Sequence, residues 1–363
     1  MTRRHRRLLF LGWVWIAALA LAAPLHALQQ ELPQFNTLSV PQREPVALPS
    51  ITAPSGQPET LLEVPSLKLR NQPGFEQVTV TVTDSSGRYI TDLKEDDFRI
   101  FEDGQQRPVG YFRIDRSAPV SIGIVVDCSS SMVTKLRQAR EAIKTLVEDL
   151  DPRDDIFLES FARQAERVQP FTFDHERLID HLKFVHSVPG ASPLDGTSLY
   201  DALYLGLFET RHGKRDKRAL LVLTDGMDNF GTTSRAQVIE TARAMKVLIY
   251  TIGIGDTAVN NEEGFLRRIF RADDDKVDMR ALTELADETG ARAFNLRRVG
   301  SGEELSRDCA AISDELRQQY TLAYISPDPM RLSYRSLRVD VPKRPDLSVR
   351  VRKGVAIIPP ATR

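Results

Sequence analysis

Cysteine is nearly absent from this chain, with two among 363 residues, and histidine is scarce, with six. His175, His181 and His186 stand six and five residues apart, so they do not share one helical face as paired zinc ligands must. Surface positions are expected for them. Phosphate and nucleophile motifs are missing too. "TIGIG" lacks the G-x-G-x-x-G spacing that opens a helix, and neither a P-loop nor G-x-S-x-G occurs. Charge of one sign is also lacking: the formal net charge is −1, which leaves no electrostatic footprint for nucleic acid. Cys128 and Cys309 are far apart in sequence, and an exported protein could pair them. Cys128 lies inside a serine loop that a crosslink would distort, so two small semi-buried thiols are the simpler expectation.

Long hydrophobic runs are few. The longest, residues 8–23, falls short of the roughly 20 apolar residues that a spanning helix needs. It follows "MTRRHRR", with four arginines, and precedes "LHA", which ends at Ala27 with small-residue cleavage spacing. Residues 1–27 therefore read as a secretory signal peptide, placing the protein in the periplasm, in the cell envelope or outside the cell; an uncleaved anchor is the rival. Without that segment 45 basic residues face 50 acidic ones. Residues 28–75 carry eight of the 21 prolines and no sustained periodicity, which predicts a disordered or extended linker. Leu67 and Leu69 within it could alternatively form a docking strand.

What is present, in abundance, is alternation. Val78, Val80 and Val82 share one face of "EQVTVTVTDSSG", and turns at "DSSG" and "EDGQ" predict short strands with hairpins over 76–115. That piece is too small for a core of its own, so it is expected to pair with "QYTLAYIS", "SLRVDV" and "LSVRVRKGV" in 320–358. Between the flanks, strand and helix patterns take turns over 118–319: "VSIGIVVD", a helix over 132–150, a hairpin of "DIFLESFA" with "ERVQPFT", helices near 178–185, 237–245, 279–289 and 303–319, and strands at "ALLVLTD", "KVLIYTIGIG" and "ARAFNL". The expected fold is α/β: a doubly wound, mostly parallel sheet with one antiparallel edge strand, beside a small β-sandwich-like domain formed by both flanks.

The carboxyl ends of parallel strands converge on one rim, and there the sequence places oxygen. Asp127, Ser129 and Ser131 form D-x-S-x-S after the first strand, Thr197 stands in "DGTSLYDAL", and Asp225 ends "LVLTD". Two carboxylates and three hydroxyls make a hard, mostly neutral set that suits Mg²⁺ or Mn²⁺ and leaves positions for water. A serine N-cap accounts for one serine of the loop but not for the triple convergence. Asp228 in "DGMDN" reads as a turn residue. The run 273–275 reads as a solvated acidic loop, with a second cation site as the alternative.

These three pieces, in this order, resemble the metal-ion-dependent adhesion site of von Willebrand factor type A domains, and the likeness covers roughly 118–319. The flanks are similar to the exported bacterial VWFA-related family. The resemblance implies direct coordination by Ser129 and Ser131, coordination by Thr197 directly or through water, and action partly through waters for Asp127 and Asp225. One neighbour departs from the commoner pattern, since Asp195 precedes Gly196 where a second glycine is frequent. The expected function is a non-enzymatic, exported adhesion-type module whose metal takes an Asp or Glu carboxylate of a partner protein. An envelope scaffold with a purely structural metal and a metal-dependent hydrolase are the alternatives. The hydrolase would need a general base, and the loops offer no histidine or lysine in a recognisable role.

Overall fold

A computed structural model describes residues 67–187, 196–257, 276–296, 302–327 and 334–355. Residues 1–27, read above as a signal peptide, most of the linker, Asp195 and the acidic run 273–275 lie outside them.

The first flank supplies a helical turn, α1 (Leu67–Arg70), and strands β1 (Phe75–Thr83), β2 (Arg99–Glu102), β3 (Gln105–Arg107) and β4 (Tyr111–Ile114). Leu67 and Leu69 are thus in a turn of helix rather than a docking strand. The central region runs β5 (Val120–Asp127), α2 (Leu136–Asp149), β6 (Asp155–Phe161), β7 (Ala165–Thr172), α3 (His175–His181), α4 (Leu199–Glu209), β8 (Lys217–Thr224), α5 (Arg235–Met245) and β9 (Val247–Ile254). A two-residue parallel pair, β10 (Asp256–Thr257) with β11 (Lys276–Val277), leads to α6 (Met279–Thr289), β12 (Ala293–Leu296) and α7 (Gly302–Arg317). The second flank adds β13 (Tyr320–Ile325), β14 (Arg335–Asp340), β15 (Ser348–Arg350) and β16 (Gly354–Val355).

The central sheet has the order β12-β9-β8-β5-β6-β7, parallel throughout except for the antiparallel edge strand β7. Every residue of β5 is buried, because α2, α3 and α7 cover one face of the sheet and α4, α5 and α6 the other. Helices on both faces are what make "SIGIVV" read as an unbroken apolar run. At its centre the sheet leaves no room for a side chain at Gly123: a Cβ there would stand 2.3 Å from the Phe157 ring and 2.6 Å from Leu220.

The helix predicted over 132–150 begins later, at Leu136. Ser130–Met132 instead form a 3-10 turn, so the serines stand on a loop turned toward the sheet rim and not on the helix. α3 begins earlier than its apolar pattern suggests, because the Asp174 carboxylate accepts from the Arg177 N–H and caps it. α6 has the predicted bounds and is closed by Gly290 in the left-handed region, at φ 85°.

The flanks do fold together. β15-β1-β13-β4 and β16-β14-β2-β3 are two antiparallel sheets whose facing residues, among them Val78, Val80, Val82, Phe98, Tyr320 and Tyr324, form a third core. Buried ions tie this sandwich to the central domain. The Lys217 ammonium at the start of β8 donates to Asp115 Oδ2 (3.1 Å) and to the Leu316 carbonyl (2.7 Å), and Thr321 of β13 donates to the same carboxylate (2.8 Å). Glu315 of α7 accepts from Tyr250 of β9 (2.9 Å) and from Tyr89 (3.1 Å), and pairs with Arg350 of β15 (2.5 Å). Glu76 of β1 pairs with Lys246 at the end of α5 (3.1 Å).

Candidate metal site

The first loop leaves β5 at Asp127, whose side chain is fully buried. Its Oδ1 accepts the Ser129 N–H (2.9 Å) and its Oδ2 accepts the Thr224 hydroxyl (2.6 Å). Those bonds hold the carboxylate beneath the loop that carries Ser129, which is buried, and Ser131, which is half-buried. The Ser129 and Ser131 hydroxyl oxygens lie 3.1 Å apart. Ser131 Oγ then donates to Asp225 Oδ2 in a short contact that joins the first loop to the third across the gap between neighbouring strands β5 and β8.

Asp225 begins the third loop. The Met227 N–H donates to its Oδ1 (3.2 Å), and its carbonyl accepts the Asp278 N–H at the start of α6 (3.1 Å). Thr197 precedes α4 on the second loop. Its N–H donates to Asn229 Oδ1 (2.6 Å), and its carbonyl accepts the N–H groups of Asn229 and Phe230 (3.1 Å each), so the second loop is laced to the third. The five predicted residues thus occupy three interlocked loops at the strand ends. Among the described residues Asp228 does not bond within its own turn: its carboxylate accepts the Tyr200 N–H (3.3 Å) and seats the third loop on α4.

Three contributors were not read from the sequence. Thr224 and Asn229 fix Asp127 and Thr197 as described, and their adjacency to Asp225 and position in "DGMDN" were the available signals. The third is Lys135, a buried residue whose positive charge draws down the proton affinity of Asp225.

The electrostatics of the site favour a cation. Burial, then the Asp225 charge, pushes the Asp127 carboxyl up to about 7. Burial also raises Asp225, against the Ser131 hydrogen bond and the Lys135 charge. Two neighbouring carboxylates whose proton affinity is raised mark a place short of positive charge, and Lys135 offsets that only in part. Among the described residues no three of His, Cys, Asp and Glu gather into a metal cage. The donors here are two carboxylates and three hydroxyls, all hard oxygen, and they fit Mg²⁺ or Mn²⁺ and not a thiolate or imidazole metal. The histidines stand apart, with His175 Nε2 3.0 Å from the Asp154 carbonyl and His181 edge-on to Phe184. Cys128 and Cys309 are both buried free thiols, and burial first, then the Asp127 charge, raises Cys128 to about 12, which keeps it un-ionised.

A family model described as the von Willebrand factor type A domain matches residues 121–307. An uncharacterized protein of Borreliella burgdorferi is 30% identical over 193 residues, 50% of this chain and 55% of that protein, so the chain spans about half the length of this relative. Among solved structures, an aerotolerance-related membrane protein from Bacteroides fragilis is similar at TM-score 0.43 and 19% identity, covering 54% of this chain and 98% of that one. A von Willebrand factor type A protein from Catenulispora acidiphila is similar at TM-score 0.44 and 13% identity, over 73% of this chain and 69% of that one.

Proposed function

Because the chain belongs to the von Willebrand factor type A domain family, we propose that it is an exported, adhesion-type protein-binding module. It recognises an acidic side chain of a partner protein through Mg²⁺ or Mn²⁺ held at Asp127, Ser129, Ser131, Thr197 and Asp225. The observation that carries this reading is the meeting of loops: the Ser131 hydroxyl of the first touches the Asp225 carboxylate of the third, and the second is hydrogen-bonded to the third through Thr197. An ion held there by few charges stays electrophilic and can take a carboxylate oxygen from outside the chain.

The chain's own residues divide the work. Ser129, Ser131 and Thr197 offer neutral oxygens at the rim. Asp127 and Asp225 supply the negative charge from beneath, and Thr224 and the loop N–H groups orient those carboxylates. The role is binding rather than turnover. An extracytoplasmic location is supported by the arginine-led apolar run at 8–23; among the described residues no helix is long and apolar enough to cross a membrane.

Calorimetric titration of the purified chain with Mg²⁺ tests the site. One ion per chain is expected, with Ser131→Ala weakening uptake about tenfold or more, the size seen when groups at a metal site are removed. A wild-type chain that takes up neither Mg²⁺ nor Mn²⁺ overturns the reading.

A further inference from the structure

Seven large apolar side chains stand exposed among the described residues, and three of them rise from the loops that carry the proposed metal ligands: Val133 (51% exposed), Met227 (44%) and Phe230 (47%). The other four are scattered, on either side of α3, on α4 and before β14. Each of the three is tethered through its backbone N–H, Val133 and Met227 within their own loops and Phe230 to the second loop. The Val133 N–H donates to the Ser130 carbonyl (3.4 Å), the Met227 N–H to Asp225 Oδ1 (3.2 Å), and the Phe230 N–H to the Thr197 carbonyl (3.1 Å).

Phe230 is packed as well as tethered. It lies across Gly196, which holds φ at 72°, and a Cβ at that position would meet the Phe230 Cβ at 2.7 Å. On the ring's other contact the Arg163 guanidinium stacks 4.1 Å from the centroid, and Arg163 is itself tied to the second loop, since its carbonyl accepts the Ser198 hydroxyl (3.0 Å). The loops around the carboxylates therefore carry three exposed apolar side chains, with the exposed Arg163 stacked on one of them. Polar residues at these three positions would keep the same backbone bonds and cost less in water. A rim that keeps them, with a positive charge stacked at its edge, is complementary to apolar side chains next to an acid.

We infer that Val133, Met227 and Phe230, with Arg163, form a docking rim that selects a partner segment in which the metal-seeking Asp or Glu is flanked by large apolar side chains. This rests on the metal-carboxylate reading above and narrows it: the metal sets the requirement for an acid, and the rim sets which acid is chosen. Partner residues beside the acid would be taken out of water against Val133, Met227 and the exposed part of Phe230. Solvent would thereby be excluded from the carboxylate contact, which strengthens it.

The test is selection by the purified full chain in Mg²⁺ from a displayed library of nine-residue peptides with a central Glu and random flanks, run beside the same library with a central Gln. The expected outcome is enrichment of Leu, Ile, Met, Phe, Tyr or Trp next to Glu. The triple variant Val133→Ser, Met227→Ser, Phe230→Ser should recover such peptides about tenfold less well or worse, the loss expected for one apolar side chain left in water, while its calorimetric Mg²⁺ uptake stays at the wild-type level. Enrichment of Glu peptides with no apolar bias, or full recovery by the triple variant, overturns the rim and leaves the metal reading standing. Equal recovery from the Gln library, or in EDTA, overturns the metal reading on which the rim rests. No enrichment from either library overturns the proposal.

Discussion

Asp127→Asn is expected to erase the response of folding stability to Mg²⁺. In the wild type, Mg²⁺ at about 100 times its dissociation constant should add about 2.7 kcal/mol to the unfolding free energy, because the ion binds the folded chain alone. The amide keeps an acceptor for the Thr224 hydroxyl or the Ser129 N–H, both of which bond Asp127, but removes the buried charge. The variant should therefore fold yet gain nothing from the ion.

The pH dependence carries the same signature, and its sign is fixed by the direction of the shift. Asp127 is raised to about 7 in the folded chain, against roughly 3.9 unfolded. The folded state binds more protons between those values, so in EDTA this contribution to stability is fully present below about pH 4 and is lost as pH rises through about 7. Glu159, raised to about 8 by burial and then by the Glu209 charge, slopes the same way but is no part of the site. Mg²⁺ competes with the proton only at the site, so the gain from the ion should grow from pH 5 to pH 8 in the wild type and stay absent in Asp127→Asn. Urea unfolding at both pH values, with Mg²⁺ and with EDTA, reads both effects. A wild-type gain that is independent of pH would place the ion elsewhere.

Lys217→Ala should be the most destabilising single change considered for this chain, at about 3–5 kcal/mol, the cost of breaking a buried ion pair from one side. It leaves the buried Asp115 carboxylate with only Arg113 (2.8 Å) and Thr321 (2.8 Å), and takes the Lys217 donor from the Leu316 carbonyl. The loss falls where the sandwich meets the central domain. Lys217 begins β8 and Asp225 follows its end, a separation of roughly 25 Å along an extended strand. Mg²⁺ affinity of the folded fraction should therefore be unchanged. Denaturant midpoints report the first quantity and calorimetry the second, and a variant of wild-type stability would contradict the role given to this pair.

Much of the fold was legible because its signals are local or periodic. The buried strand β5 announces itself as an apolar run that stops at Asp127, and α6 ends at Gly290 because only a residue at ease with positive φ closes that turn. The pairing of the two flanks was legible from size alone, since neither piece could bury its own valine face. The serine loop was harder. A serine before a helix reads as a cap, and only the structure separates the 3-10 turn at Ser130–Met132 from the helix that begins at Leu136. The support beneath the site was not legible. Thr224 meets Asp127 across neighbouring strands, Lys217 meets Asp115 over a span of 102 residues, and no local pattern encodes which buried polar group will find which.

Capture from envelope extract tests the central claim most directly, with the wild-type chain in Mg²⁺, the wild-type chain in EDTA, and Asp127→Asn in Mg²⁺ as the three baits. The account predicts a partner retained by the first alone. Equal retention by all three would contradict it, moving the interface away from the rim of the sheet and leaving any ion there a structural part.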